Sequence, residues 1–317
     1  MRVVVTGATG MIGRSLVSAL LARGEEVVAL SRDAERGRRA LDDRVSVYAW
    51  ADPLAEPPPA DALTGADAVV HLIGEPVAQR WSDEAKEAIR ESRVASTRSL
   101  VQGLLALAPD ARPSILVSQS ATGYYGPRGS EPVLESTAAG EPTPAGNDFL
   151  AGVVVAWERE ALAASSSSNG AVRVVVTRTG VVLSPSGGAL AKMLPFFRLG
   201  IGGPVAGGRQ YVPWVHLDDV VGAMAFCLGN HDATGPVNLT APTPATNTEL
   251  SRALGRVLKR PAFLPVPALA LKALYGEMAE IVVTGQRAVP ARLEELGYHF
   301  RYPELEPALR DVLDRPA

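Results

Sequence analysis

Val3-Val4-Val5-Thr6-Gly7-Ala8-Thr9-Gly10-Met11-Ile12-Gly13 is an apolar run that turns through three glycines into a helical pattern carried by Ile12, Leu16 and Leu20. The run is uniformly apolar, as expected of a strand covered on both faces, and such strands belong to parallel sheets. Gly7 permits the tight turn. Gly10 lets the backbone approach an anion with no Cβ in the way, and Gly13 allows the helix to pack closely on the strand. The first helical turn then offers unpaired N–H groups and the positive end of its dipole. Thr6, Gly7, Thr9, Gly10, Met11, Ile12 and Gly13 are therefore expected to cradle the pyrophosphate of a dinucleotide.

Further runs of the same kind follow: Val27 to Leu30, Ala68 to Ile73, Ser114 to Ser118 and Val172 to Val176. Helical patterns separate them. The longest enters at Ser82, an N-cap residue with Asp83 and Glu84 in the first turn, and buries Val94, Thr97, Val101, Leu104 and Leu105. Strand and helix in alternation predict an α/β fold, a Rossmann-type doubly wound parallel sheet. Pro57-Pro58-Pro59, the stretch Pro127 to Pro144 and Ser165 to Ser168 mark loops. After residue 180, Gly187-Gly188 and Gly200 to Gly208 punctuate shorter elements. The expected division is a cofactor-binding domain over 1–180 and a smaller C-terminal substrate lobe with a helical end over 181–317. Apolar segments near 212–240, around Trp214-Val215-His216 and Val237-Asn238-Leu239, are expected to return to the first sheet.

Composition narrows the function. The 317 residues carry 31 Lys plus Arg against 34 Asp plus Glu, a net charge of −3, with 47% apolar residues. That balance gives no electrostatic footprint for nucleic acid and no disordered profile, and one cysteine, Cys227, makes no disulfide framework. No apolar run reaches the roughly 18–20 residues of a membrane span, and Met1-Arg2 leads straight into a strand, so a cytoplasmic location is expected. His71, His216, His231 and His299 are widely spaced, and no helix carries two ligands one turn apart, so no metal site is expected. The expected partner is a small-molecule substrate; oligomeric state is left open.

Cofactor choice turns on the end of the second strand, where an acid takes the ribose hydroxyls of NAD and a base accommodates the phosphate of NADP. Leu30 is followed by Ser31 and Arg32. The planar guanidinium suits a phosphate, so NADP(H) is preferred over NAD(H). Asp33 competes as a ribose acceptor, or else caps the helix that carries Arg36, Arg38 and Arg39.

Thr6 to Gly13, Asp67-Ala68-Val69-Val70-His71-Leu72-Ile73-Gly74, Ser118-Gln119-Ser120-Ala121-Thr122-Gly123-Tyr124-Tyr125-Gly126 and Trp214-Val215-His216-Leu217-Asp218-Asp219-Val220 resemble extended short-chain dehydrogenases/reductases of the sugar-nucleotide epimerase/dehydratase type. Gly74-Glu75-Pro76-Val77, Gly187 to Pro195, Gly276-Glu277-Met278 and Gly285-Gln286-Arg287 are similar to an atypical subfamily, the epimerase family proteins, which end in a domain of unassigned function. The resemblance implies hydride transfer, cofactor contacts from Leu72, Ile73, Gly74 and Glu75, and a Tyr-x-x-x-Lys acid/base pair. That pair is absent: four residues before Lys86, Lys192, Lys259 and Lys272 stand Ser82, Gly188, Gly255 and Ala268. Where it would fall, the sequence reads Phe149-Leu150-Ala151-Gly152-Val153-Val154.

The remaining catalytic candidates are Ser120, at the end of a predicted central strand, and Tyr124 and Tyr125 just beyond it. Their competing readings are a turn-forming serine, and one packed and one exposed tyrosine. Lys192 and Arg209 are candidate substrate contacts, Arg209 by resemblance to the base that holds a substrate phosphate. Two functions fit: an NADP(H)-dependent oxidoreductase or epimerase-like enzyme acting on a small polar or nucleotide-linked substrate, and a catalytically silent NADP(H)-binding regulator or sensor.

Overall fold

The computed structural model of the chain describes residues 1–140 and 148–314; the end of the expected loop at 141–144 lies outside them. Seven strands form one sheet: β1 (Arg2–Thr6), β2 (Glu26–Ser31), β3 (Ser46–Ala49), β4 (Ala68–His71), β5 (Ile115–Ala121), β6 (Arg173–Thr179) and β7 (Gly235–Leu239). Their spatial order is β3-β2-β1-β4-β5-β6-β7, and every pairing is parallel. The reversal between β1 and β4 is the switch point at which doubly wound sheets bind ligands.

The helices used below are α1 (Met11–Ala22), α2 (Ala34–Ala40), α3 (Asp83–Ala106), α4 (Phe149–Ser167), α5 (Gly188–Arg198), α6 (Leu217–Gly229), α7 (Asn247–Leu258), α8 (Ala268–Tyr275) and α9 (Leu305–Asp314). The apolar strands divide by period two between two layers. Val3, Val5, Val27, Ala29 and Val70 pack with Leu16, Val17 and Leu20 of α1 and Val220, Val221 and Met224 of α6. Val4, Val28, Val69, Leu116, Val174 and Val176 pack with Leu100, Val101 and Leu104 of α3 and Ala161 and Ala164 of α4. Both faces are covered, which is why the strands show no polar alternation.

Ser82 caps α3 by accepting from the Ala85 N–H, as its position in the sequence implies. The segment 212–240 divides. Gly235–Leu239 joins the sheet as edge strand β7, whereas Trp214–His216 pairs in parallel with Val181–Leu183, away from the sheet. Gly180 makes that departure possible, because a Cβ there would lie 1.9 Å from the Pro213 carbonyl oxygen. A second core then gathers Leu183 and Trp214 of that strand pair with Leu190, Leu194, Phe197, Leu250, Leu254, Leu309 and Val312 from α5, α7 and α9. The two parts are pinned where α6 begins: Asp219 accepts from the N–H groups of Arg301 and Tyr302, and His216 bonds Asp311 while stacking on Tyr302 at 3.8 Å.

Glycine placement generates a paired test. A Cβ at Gly13 would lie 2.2 Å from the Gly7 carbonyl oxygen, whereas Gly152 in α4 has open space around it. Gly13→Ala should lower stability by about 1–3 kcal/mol in urea unfolding through overpacking. Gly152→Ala should raise it by about 0.5–1 kcal/mol, as expected for glycine in a helix interior.

Candidate cofactor and substrate site

The turn after β1 has the geometry a dinucleotide needs. Gly7 adopts φ +63°, and a Cβ there would lie 2.7 Å from the Leu72 carbonyl oxygen, so only glycine lets the loop lie against the end of β4. Helix α1 then starts with no side-chain cap and no acid in its first turn, leaving its N–H groups for an outside anion. The turn is fixed from beneath. Thr6 Oγ1 accepts from the Leu72 N–H at 3.1 Å and lies 2.8 Å from His71 Nδ1, and His71 Nε2 lies 3.3 Å from Ser96 Oγ. Ser96 in turn donates to the Ser92 carbonyl at 2.6 Å. One proton arrangement satisfies the chain: Thr6 donates to Nδ1, and Nε2–H donates to Ser96. That requires a neutral imidazole, and burial pushes the His71 pKa down to about 3.

At the end of β2, Ser31 donates to the Asp33 carbonyl, and the Asp33 carboxylate caps α2 by accepting from the Arg36 N–H at 3.0 Å. Asp33 is thus engaged as a cap. Arg32 is exposed and makes no hydrogen bond or ion pair with the described residues, and the guanidinium stands open to an anion.

The candidates beyond β5 fall into a buried network. Ser120, 1% exposed, donates to Glu158 Oε1 at 2.5 Å. Arg178 completes a two-pronged pair with the same carboxylate, Nε to Oε1 and Nη2 to Oε2, both at 2.8 Å. Its Nη1 donates to the Tyr125 hydroxyl at 3.0 Å and to the Glu135 carbonyl at 3.1 Å. Tyr125, 0% exposed, donates to Asn238 Oδ1 at 2.7 Å. Burial pushes its phenol up to about 12 against the opposing pull of Arg178. Tyr124 is half-buried, with the Arg178 guanidinium 3.4 Å from its ring centroid. Ser118 is buried, its hydroxyl at the 3.4 Å limit from the Gln119 carbonyl. On α4, Leu150 and Val154 turn toward Gly123, where a Cβ would meet Leu150 at 2.8 Å.

The segment that begins α5 meets this edge. Gly187, at the start of α5, lies against Met11, and Lys192 one turn on donates to the Ala78 carbonyl in the loop after β4. From that loop Arg80 donates to the Ala273 carbonyl at 3.3 Å, and from the first turns of α3 Lys86 pairs with Glu277 at 2.5 Å, so both reach the C-terminal region. The Glu75 side chain is exposed, and its backbone bonds Ser92 and Arg93. Arg209 is exposed and unpaired among the described residues, between Gly208 and Gln210. The cluster of His216, Asp218 and Asp311 is already committed, since both ring nitrogens of His216 are hydrogen-bonded. Sequence reading missed Glu158, Arg178, Asn238 and Arg93. The signal was there for Arg178, a cation placed two residues past the apolar run that ends at Val176.

A sheet of this order, whose first turn offers glycines and a bare helix N-terminus, defines a dinucleotide-binding α/β protein. The chain belongs to the NAD dependent epimerase/dehydratase family, which matches residues 3–239, and residues 266–312 match a domain of unknown function (DUF1731). It is 42% identical over 316 residues to the epimerase family protein SDR39U1 homolog, chloroplastic, of Arabidopsis thaliana, covering 99% of this chain and 87% of that protein. The crystal structure of human epimerase family protein SDR39U1 with NADPH superposes with a TM-score of 0.84 at 31% identity, over 100% of both chains. A nucleoside-diphosphate sugar epimerase from Corynebacterium glutamicum gives 0.74 at 32% identity, over 98% of this chain and 57% of that one. Among the described residues no helix is long and apolar enough to cross a membrane.

Two stability measurements follow. Arg178→Met leaves Glu158 buried without its cation and should cost about 3–5 kcal/mol in chemical unfolding, with the double variant Arg178→Met/Glu158→Met costing less than the single one. His71 contributes stability that is full above the unfolded histidine pKa near 6.5 and is lost as pH falls toward about 3. Stability should therefore decline between pH 6.5 and 5, and His71→Asn should flatten that decline relative to the parent.

Proposed function

We propose that the chain is an NADP(H)-dependent oxidoreductase or epimerase-like enzyme that acts on a small polar or nucleotide-linked substrate. The observation that carries the cofactor half is the end of β2: Asp33, the acid placed to take ribose hydroxyls, gives its carboxylate to the α2 cap, while Arg32 beside it is unpaired among the described residues. The NADPH bound to the human relative supports the same reading. Bound NADP(H) supplies or accepts a hydride. The chain's own residues do the rest: Gly7 to Gly13 and the N-terminus of α1 hold the pyrophosphate, Ser31 and Arg32 the ribose phosphate, and Leu72 to Glu75 border the nicotinamide half.

Proton transfer falls to Tyr124. Ser120 gives its proton to Glu158, and Tyr125 is closed off with a raised pKa, whereas Tyr124 keeps part of its surface in the open. The Arg178 guanidinium over the Tyr124 ring is the cation this site offers where no tyrosine in the chain is followed by a lysine four residues on. Ser120 acts from behind, holding Glu158 and so the Arg178 guanidinium in place, and Lys192 and Arg209 are the substrate-side cations. The reading as a silent sensor draws on the same two engaged side chains, Ser120 and Tyr125.

Arg32→Ala should weaken NADPH at least tenfold in a fluorescence titration and leave NADH unchanged. Equal loss for both cofactors removes the phosphate argument. Turnover separates enzyme from sensor: NADPH oxidation with a panel of carbonyl and sugar-nucleotide substrates should fall at least a hundredfold in Tyr124→Phe, in the range of general acid–base contributions. No oxidation with any substrate favours the sensor.

A further inference from the structure

The stretch matched by the domain of unknown function, residues 266–312, returns to the end of β5 through Gly285-Gln286-Arg287, which no cofactor or substrate contact has yet used. Gln286 Nε2 donates to the Thr122 carbonyl at 2.7 Å, and Thr122 opens the single helical turn Thr122–Tyr125 that carries both tyrosines. Just beyond that turn, the Arg128 backbone N–H donates to the Gly285 carbonyl at 3.0 Å. The chain then runs parallel to Pro132-Val133, and the buried Ala288 forms a small core with Tyr125 and Val133, against which Tyr124 packs. Asn238, which accepts from the Tyr125 hydroxyl, donates its side-chain amide to the Val289 carbonyl at 2.9 Å. The segment is held from its other flank as well. A Cβ on Gly285 would lie 2.2 Å from the Tyr211 carbonyl oxygen, so the two backbones touch, and the Arg287 guanidinium stands 5.4 Å from the Tyr211 ring centroid. Gln210 completes the grip by donating to the Val282 carbonyl at 3.0 Å.

We propose that the unassigned C-terminal region supplies the brace of the site, with Gln286 as a positioning residue that sets where Tyr124 stands. The catalytic consequence rests on the reading of Tyr124 as the proton-transfer group; the placement does not. The Thr122–Tyr125 turn has no side-chain cap of its own, so the bond from Gln286 is the side-chain tie at its first residue. A donor anchored on both flanks holds a group more exactly than a free loop does, and a misplacement of about 1 Å at a reacting group can cost about a hundredfold in rate. The hydrogen bonds of the brace go to Thr122, Arg128 and Asn238 rather than to the Gly7 to Gly13 turn. Its loss therefore acts on the tyrosine and leaves the cofactor in place.

The test uses the whole protein saturated with NADPH and labelled with 13C at the tyrosine Cζ, and Tyr124→Phe assigns the Tyr124 resonance. Gln286→Met keeps the length of the side chain and removes its donor. That change should move the Tyr124 resonance, while Tyr48, four strands away on β3, and Tyr302, stacked on His216, keep theirs. NADPH affinity should stay within twofold. With any member of the carbonyl and sugar-nucleotide panel that the parent turns over, kcat should fall at least tenfold in Gln286→Met with KM within threefold, and Gln286→Lys, which restores a donor, should regain part of it. An unmoved Tyr124 resonance overturns the proposal, as does a shift shared by Tyr48 and Tyr302, which reports a general loosening. A shift confined to the site with kcat unchanged overturns the positioning role. A shift confined to the site in a protein that turns over none of the panel removes the enzyme reading and leaves the placement of Tyr124 by Gln286 standing.

Discussion

The ion pair between Arg178 and Glu158 is the contact on which the site depends. Burying two ions costs several kcal/mol each, and the pair is sustained by four hydrogen bonds from Arg178 and three accepted by Glu158. Glu158 takes a third bond from Ser120, and Arg178 Nη1 reaches both Tyr125 and Glu135. Glu135 then holds the N–H groups of Asn238 and Arg292, carrying the network into the edge strand and the C-terminal region. Four stretches far apart in sequence are thereby set relative to one another by a single charged pair.

That arrangement changes the chemistry available at the end of β5. A phenol near pKa 10 needs a cation close by to work at neutral pH. The helix that would supply a lysine presents Leu150 and Val154 instead, packed over Gly123. The cation comes from the sheet, through Arg178, and arrives on the face of Tyr124 rather than at its hydroxyl. Arginine also cannot surrender its charge, which suits a fixed electrostatic role better than proton shuttling.

The fold was readable because it depends on local pattern. Apolar runs of strand length, the glycine spacing and the Ser82 cap each report on their own neighbourhood. The site was only half readable, because its decisive contacts are made by register. Ser120 stands directly opposite Arg178 in the β5–β6 ladder, and no spacing within either segment shows it. Glu158 sits in Trp157-Glu158-Arg159-Glu160, where a charge reads as solvated surface; only the packing of α4 on β5 turns it inward. Trp214-Val215-His216 misled for a similar reason, since its apolar character suits a strand in either place and Gly180 decides which.

The loop after β4 is tied down in an unusual currency. Lys192 reaches the carbonyl of Ala78, Arg80 that of Ala273, and Arg93 that of Glu75. These three acceptors are main chain, present whatever side chain occupies the position, while the Glu75 N–H goes to the Ser92 hydroxyl. The strap therefore keeps those anchor points through any change of side chain along 75–79.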